Sequence, residues 1–293
     1  GSWTCFSLEA QFVSLNAARF DAVKHRALAV VGDALAGIEE LAQSLAGWRV
    51  DAGWTAKGRE LFAAWNRQLD SLQAPTNAEA PSYAQVIGVV NAWAGERDLV
   101  ITAAGGLPGE LTKNWRVKAP DTFDGEFGFS CMGYEIPAGW GAAMADPTRT
   151  PIVMVGDGTY LMMNSDIYSS VLAGHKLIVV VCDNGGFAVI NRLQNGKGGA
   201  SFNNLIRDAR VKEPFAVDFA AHAAAMGALS RRVASLADLR DALDWARTTD
   251  RTTAITLNSD AFTWTPGDAW WDVGVPEVSG RDSVRAAAAE QAE

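Results

Sequence analysis

Short apolar runs alternate with segments of helical periodicity along most of the chain. The apolar runs are rich in β-branched residues and have the length of buried strands. We predict strands at 12–16, 27–31, 99–103, 151–155, 177–182, 230–233 and 253–258. We predict helices at 34–45, 54–73, 83–94, 139–144, 162–173, 218–226, 237–248 and 282–292. Strands that alternate with helices in this way predict an α/β fold, with a mostly parallel sheet and helices on both faces.

Two of the predicted strands end at polar residues that are flanked by glycine. The run 151–155 leads into Asp157, which lies between two glycines, and the run 177–182 leads into Asp183 and Asn184, followed by two more glycines. A crossover through the helix at 162–173 makes the two strands parallel and neighbouring. Asp157 and Asn184 are therefore expected at the carboxyl ends of the strands, where open α/β sheets bind ligands.

The chemistry of these residues predicts a diphosphate bridged to the protein by a metal ion. A carboxylate oxygen, an amide oxygen and a loop carbonyl are hard donors that suit Mg²⁺, which also takes phosphate oxygens and water. The glycines allow the backbone to approach a bulky anion, and the helix start near Thr159 offers N–H groups.

A dinucleotide-binding turn is the main alternative interpretation of the same residues. Gly156 and Gly158 open a helix after a strand, and Asp183 ends the next strand where a ribose-binding acid could lie. However, Leu161 occupies the place of the third glycine. Asp157 would also repel a pyrophosphate unless a cation lay between them.

Together the two segments resemble the cofactor motif of thiamine-diphosphate enzymes. In that family an aspartate, the second residue of the later pair and a backbone carbonyl two residues on hold Mg²⁺. The matching groups are Asp157, Asn184 and the carbonyl of Gly186. Asp183 stands where many relatives have asparagine, and this position is not a metal ligand. The resemblance therefore implies thiamine diphosphate and Mg²⁺ as cofactors.

Further residues extend the resemblance to the rest of the cofactor site. Met132 matches the bulky apolar residue that lies under the thiamine, and the carbonyl of Ser130 matches the acceptor for the aminopyrimidine amine. The remaining matches are expected to lie around the diphosphate and the cofactor: Gly105, Gly106, Gly158, Thr159 and Phe187.

Within the family, the segments 130–136, 156–165, 186–188 and 270–273 are similar to those of the trihydroxycyclohexanedione hydrolases of inositol catabolism. This likeness implies hydrolysis of a C–C bond in a cyclic 1,2-diketone, which is a small-molecule substrate. Two alternatives stay open, namely another thiamine-diphosphate enzyme that decarboxylates or ligates 2-oxo acids, and a non-catalytic scaffold that keeps the fold.

The resemblance also implies a domain organisation and a missing partner. Residues 1–49 resemble the end of a Rossmann-like central domain, 50–78 form a helical linker, 79–265 form the diphosphate- and Mg²⁺-binding domain, and 266–293 form a tail. The glutamate that activates the cofactor has no counterpart here, because Glu9, Glu39 and Glu40 lack the required strand–helix setting. We expect that glutamate on an amino-terminal part of the same enzyme, and we expect the complete enzyme to be a homo-oligomer (a dimer or a tetramer).

Three remaining groups leave open interpretations. Glu135 is a carboxylate in an apolar segment. It is either a solvated loop acid or a group with a raised pKa that faces substrate or water, and in the second case it is a candidate catalytic residue. Trp270 and Trp271 suggest a flap or a partner-facing surface. The scattered histidines His25, His175 and His222 have no metal-ligand spacing and are expected to be structural or exposed, not catalytic.

Composition narrows the class of partner. The net charge is −9 and there is no basic run, which disfavours nucleic acid. No apolar stretch reaches membrane-spanning length, so no membrane association is expected. Three cysteines without a disulfide framework fit a reducing cytoplasm.

Overall fold

The computed structural model describes residues 6–76, 80–213, 215–267 and 273–292. The chain divides into two compact units, and the division falls between Asn66 and Arg67. The predicted domain boundaries at 49, 78 and 265 differ from this division and stay predictions.

The smaller unit is built on two parallel strands. Its elements are β1 (Val13–Asn16), α1 (Arg19–Ala22), β2 (Leu28–Val31), α2 (Ala34–Ser44) and the first part of α3 (Ala52–Gln73). Val13 lies opposite Leu28 in the β1–β2 pair. The Asp33 carboxylate begins α2 by accepting a hydrogen bond from the N–H of Ala36 at 3.0 Å. The strands and helices predicted for this region are confirmed.

The larger unit contains a six-stranded sheet. Its elements in chain order are α4 (Tyr83–Trp93), β3 (Val100–Thr102), α5 (Gly106–Asn114), β4 (Phe123–Gly125), α6 (Glu135–Ala145), β5 (Ile152–Gly156), α7 (Asp157–Tyr160), α8 (Ser165–Leu172), β6 (Ile178–Asp183), α9 (Ala188–Gly196), α10 (Phe219–Ala225), β7 (Leu229–Arg232), α11 (Leu236–Thr248), β8 (Thr253–Asn258) and α12 (Asp282–Ala292). The strand order is β4-β3-β5-β6-β8-β7, and every neighbouring pair is parallel.

The two faces of this sheet bury two hydrophobic cores. Met154 and Val180 pack on one face with α4, α5 and α11. Val153 and Val179 point to the other face and pack with α6, α8 and α10. Successive strand residues point to opposite faces, so a strand that is apolar at every position is buried on both. The predicted α/β fold with helices on both faces is confirmed.

Helix α4 begins at a capping box that fixes the position of Tyr83. The hydroxyl of Ser82 accepts from the N–H of Gln85, and the Gln85 side chain accepts from the N–H of Ser82. The Gln85 amide also donates to the carbonyl of Ala74 at 2.9 Å, which ties the start of α4 to the end of α3.

Several elements differ from the sequence prediction. Helix α6 begins at Glu135 and not at 139. The helix predicted at 162–173 forms as α8, and a separate short helix, α7, precedes it. The elements α5, β4 and α9 are additions that the sequence pattern does not predict. The last predicted helix forms as α12 and packs against the rest of the larger unit. Val284 is buried, and the Ser283 hydroxyl donates to the carbonyl of Gly198 at 2.6 Å.

In the part of the chain that the structure describes, none of the helices combines the length and the apolar character needed to cross a membrane.

Candidate cofactor site

The two polar strand ends lie side by side. Strands β5 and β6 pair directly, with Gly156 opposite Cys182. Asp157 follows the last residue of β5, and Asn184 follows the last residue of β6. The crossover therefore brings both side chains to the carboxyl edge of the sheet, as predicted.

A cleft opens at this edge. Nine of the eleven predicted site residues line it: Gly105, Gly106, Met132, Asp157, Gly158, Thr159, Asn184, Gly186 and Phe187. Ser130 and Glu135 are not among the lining residues. Their individual roles, like those of the nine, stay predictions.

Asp157 is a buried carboxylate that faces uncompensated negative charge. Its side chain is only 5% exposed. Burial raises the pKa of Asp157, the nearby Asp183 carboxylate raises it further, and the N–H groups of Gly158 and Gly186 offset part of this shift. A divalent cation would supply the missing positive charge.

Asn184 presents an unpartnered acceptor at the same place. Its amide nitrogen Nδ2 donates to the hydroxyl of Tyr83 at 2.5 Å. Its oxygen Oδ1 is buried and accepts no hydrogen bond. A buried polar atom without a partner is costly unless something binds it, so Oδ1 indicates a ligand in the cleft.

Two glycines that line the cleft are packed so closely against neighbouring segments that a side chain could not replace them. A Cβ at Gly158 would lie 2.6 Å from the ring of Phe187, and a Cβ at Gly186 would lie 2.4 Å from the carbonyl oxygen of Asn204. Gly186 also has a φ of 138°, which favours glycine. Helices α5 and α9 both begin at lining residues, Gly106 and Ala188, so their free N–H groups suit an anion.

These observations fit the donor set of a Mg²⁺–diphosphate. The carboxylate of Asp157, Oδ1 of Asn184 and the backbone of Gly186 are oxygen-bearing groups lining one cleft. Within the ranges described above, no cluster of three or more His, Cys, Asp or Glu residues could hold a metal ion. The set of one carboxylate, one amide and one carbonyl is consistent with that result.

The loop before α6 presents Met132 to the cleft. The Glu126 carboxylate shapes this loop by accepting from the N–H groups of Phe129 at 2.9 Å and of Cys131 at 2.7 Å. Ser130, between them, is exposed and has a φ of 58°.

Glu135 is a buried helix residue and not a solvated loop acid. It is the first residue of α6 and is 1% exposed. Burial raises its pKa to about 7, although the N–H of Gly133 donates to Oε2 at 3.1 Å and the Thr159 hydroxyl beside it also favours the charged form. Its other oxygen, Oε1, has no partner.

Two histidines have structural partners. The indole N–H of Trp140 donates to Nδ1 of His175 at 3.1 Å, and the Tyr160 hydroxyl lies 3.0 Å from Nδ1 of His222. Trp270 and Trp271 lie outside the described residues.

Tyr83 also lines the cleft. Sequence reasoning missed it, because a tyrosine in an apolar helix carries no signal of its own until α4 is packed against the sheet.

Comparison with known proteins identifies the family of this chain. Residues 103–257 match the family model described as thiamine pyrophosphate enzyme, C-terminal TPP binding domain. The chain belongs to the thiamine pyrophosphate enzyme family. The matched segment begins directly after β3 and ends in β8, so it includes every predicted residue of the cofactor site.

Curated relatives in this family are named 3D-(3,5/4)-trihydroxycyclohexane-1,2-dione hydrolases. Two from Bacillus cereus are 33% and 34% identical, and one from Geobacillus thermodenitrificans is 32% identical. Each match covers 95% of this chain and 48% of the relative, so the chain spans about half the length of these relatives.

A solved thiamine-diphosphate enzyme shares the fold. The 4-hydroxybenzoylformate decarboxylase of Rhodococcus jostii RHA1 superposes with a TM-score of 0.57 at 18% identity. The superposition covers 64% of this chain and 34% of that one.

Proposed function

We propose that the cleft binds thiamine diphosphate through Mg²⁺ and that the chain is the diphosphate-binding part of a hydrolase. The substrate class is a cyclic 1,2-diketone such as trihydroxycyclohexane-1,2-dione, which would place the enzyme in inositol catabolism. The observation that carries the proposal is the convergence of Asp157, Asn184 and Gly186 in one cleft of a chain whose relatives are named as such hydrolases.

Six of the residues that line the cleft have proposed roles that their positions support. Asp157, Oδ1 of Asn184 and the carbonyl of Gly186 would hold Mg²⁺, and Gly158 and Thr159 would contact the diphosphate. Met132 would support the thiamine rings from the apolar side. When bound, thiamine diphosphate supplies the carbon that adds to a carbonyl and accepts the electron pair of the breaking C–C bond. The protein contributes position and charge.

We propose that activity requires an amino-terminal part that supplies the activating glutamate. The smaller unit supports this, because its parallel strands are not covered as parallel sheets normally are. In β2, Leu28 is 69% exposed, and Val30 and Val31 are also exposed. A further part of the same α/β domain would bury these side chains.

We further propose that the complete enzyme is a homo-oligomer (a dimer or a tetramer) that works in the cytoplasm. Exposed apolar side chains follow one another near the cleft, and a second copy would bury them. They are Leu161, Met162, Met163, Tyr168 and Leu172. Cys131 and Cys182 are free thiols, which fits a reducing compartment.

The decisive experiment is reconstitution. The purified chain is mixed with the amino-terminal half of a Bacillus cereus relative, thiamine diphosphate and Mg²⁺, and the opening of a cyclic 1,2-diketone to its acid is followed. We expect turnover only in the complete mixture. Robust turnover by this chain alone would contradict the need for a partner. Decarboxylation of 2-oxo acids without diketone cleavage would favour the other branch of the family.

A further inference from the structure

We infer that Tyr83 is a positioning residue, whose hydroxyl holds the amide of Asn184 with its oxygen toward the cleft. The inference deepens the proposed function and rests on it, because it concerns the orientation of a proposed Mg²⁺ ligand. Tyr83 lies 101 positions before Asn184, and the sheet brings them together.

Either end of an asparagine side chain can face a metal ion, but only the oxygen end can bind it. The amide has one acceptor oxygen and one donor nitrogen of nearly equal size. Here the nitrogen Nδ2 donates to the Tyr83 hydroxyl, and Oδ1 is left buried without a partner. The reverse orientation would turn the N–H₂ group toward the cleft, where it could not bind a cation.

Tyr83 is itself held firmly. It is 2% exposed and is the first residue of α4, held between Ser82 and Gln85 of the capping box. Its ring packs edge-on against Trp264, with the ring centroids 6.0 Å apart. A hydroxyl on so constrained a ring gives the amide one preferred direction, as outer hydrogen-bond partners of metal ligands do.

The test measures metal dependence in the full chain. Binding of thiamine diphosphate is followed by isothermal titration calorimetry at a series of Mg²⁺ concentrations for the wild type and Tyr83→Phe. We expect Tyr83→Phe to require about tenfold more Mg²⁺ for half-maximal binding. Tyr160→Phe, which removes a buried hydroxyl bonded to His222, controls for the general loss of a phenol and should keep the wild-type requirement.

Repeating Tyr83→Phe in an Asn184→Asp background separates the effect of Tyr83 on the orientation of residue 184 from its effect on packing. In Asn184→Asp both ends of the side chain are oxygens, so orientation no longer matters. Adding Tyr83→Phe to Asn184→Asp should change the Mg²⁺ requirement by less than about threefold. An equal loss in both backgrounds would mean that Tyr83 acts through packing alone and would overturn the inference.

The two possible failures are distinguishable. If the wild type binds thiamine diphosphate in a Mg²⁺-dependent way and Tyr83→Phe needs the same Mg²⁺ concentration within about twofold, the inference is wrong and the proposed function stands. If the wild type binds no thiamine diphosphate, or binds it equally well without Mg²⁺, the proposed function fails and the inference fails with it.

Discussion

The ring of Phe187 lies against the backbone of Gly158, so that a Cβ at position 158 would be 2.6 Å from the ring atom Cε1. Both residues line the cleft, Gly158 just after β5 and Phe187 just before α9. The close approach of the two segments sets the width of the cleft where we place the diphosphate. Position 158 requires glycine because any larger side chain there would have to displace the ring of Phe187.

Gly158→Ala is expected to weaken the binding of thiamine diphosphate with Mg²⁺ at least about tenfold, because the methyl group or the displaced ring would occupy ligand space. The fold should persist, since Phe187 is partly exposed and can rotate outward. Calorimetric titration measures the affinity. Gly141→Ala in α6 is the matched control, because a Cβ there meets no atom within 4 Å. It should keep the affinity and gain about 0.5–1 kcal/mol of stability. Equal affinity in both variants would contradict this account of Gly158.

The neighbouring aspartates at the two strand ends are expected to respond differently to the same substitution. Asp157→Asn removes the proposed ligand charge and should lower the affinity for thiamine diphosphate in saturating Mg²⁺ by about 100-fold. Asp183→Asn should change it by less than about threefold, because an asparagine oxygen can still accept from the N–H of Gly185, which lies 2.9 Å from the Asp183 carboxylate. Equilibrium dialysis compares the two variants. Similar losses in both would mean that the ligand assignment is wrong.

The ion pair between Asp98 and Arg247 should make stability depend on acid pH. The guanidinium donates to both carboxylate oxygens, at 2.6 and 2.7 Å. Burial alone would raise the pKa of Asp98, but the hydrogen bonds from Arg247 and Gly95 outweigh it and hold the pKa below the ordinary 3.8. Because the folded pKa is depressed, the stabilisation is complete above the unfolded pKa and is lost as pH falls from about 4 through the folded value.

Asp98→Asn is therefore expected to lower the free energy of unfolding by about 1–2 kcal/mol at pH 7, a modest cost because Arg247 is partly exposed and the pair is partly screened. The cost should shrink progressively below pH 4, where Asp98 of the wild type becomes protonated. Urea unfolding at a series of pH values measures this. Asp250→Asn is the control, because the pair of Asp250 with Arg251 is long, at 3.8 Å, and exposed. A cost for Asp98→Asn that stays constant with pH would contradict the assignment.

Glu135 should make the free energy of unfolding depend on pH in the opposite direction, and in a higher pH range. Its folded pKa of about 7 lies above the ordinary 4.5, so the folded chain holds a proton that the unfolded chain releases. The free energy of unfolding should therefore fall as pH rises from about 4.5 to 7 and then level off. Glu135→Gln keeps the neutral shape and should be more stable than the wild type by roughly 1–3 kcal/mol at pH 8, but not at pH 4.5.

Denaturant unfolding of Glu135→Gln at both pH values tests this expectation. The exposed Glu60 on α3 provides the control, since Glu60→Gln removes the same charge without changing a buried group. A stability difference for Glu135→Gln that is equal at the two pH values would show that folding does not raise the pKa of Glu135.

The strands and the cofactor segments could be predicted because their signals are local. The run that forms β6 is apolar at nearly every position, and the polar residues that follow β5 and β6 must meet if the strands are parallel neighbours. The sequence pattern places the start of α6 too late because Pro137 and Gly139 resemble helix breakers, although proline is tolerated in the first turn of a helix. Pro108 and Gly109 conceal α5 in the same way.

Other features depend on packing between distant segments. The burial of Glu135 follows from the placement of α6 against the sheet. The contact between Tyr83 and Asn184 requires α4 to lie over β6. No pattern within either segment contains that information.

The most direct test is a crystal structure of the chain with thiamine diphosphate and Mn²⁺, located by its anomalous signal. The account predicts one ion bonded to the carboxylate of Asp157, to Oδ1 of Asn184 and to the carbonyl of Gly186, with the diphosphate completing its coordination. An ion bound elsewhere, or thiamine diphosphate ordered in the cleft without contact to Asp157 and Asn184, would contradict it.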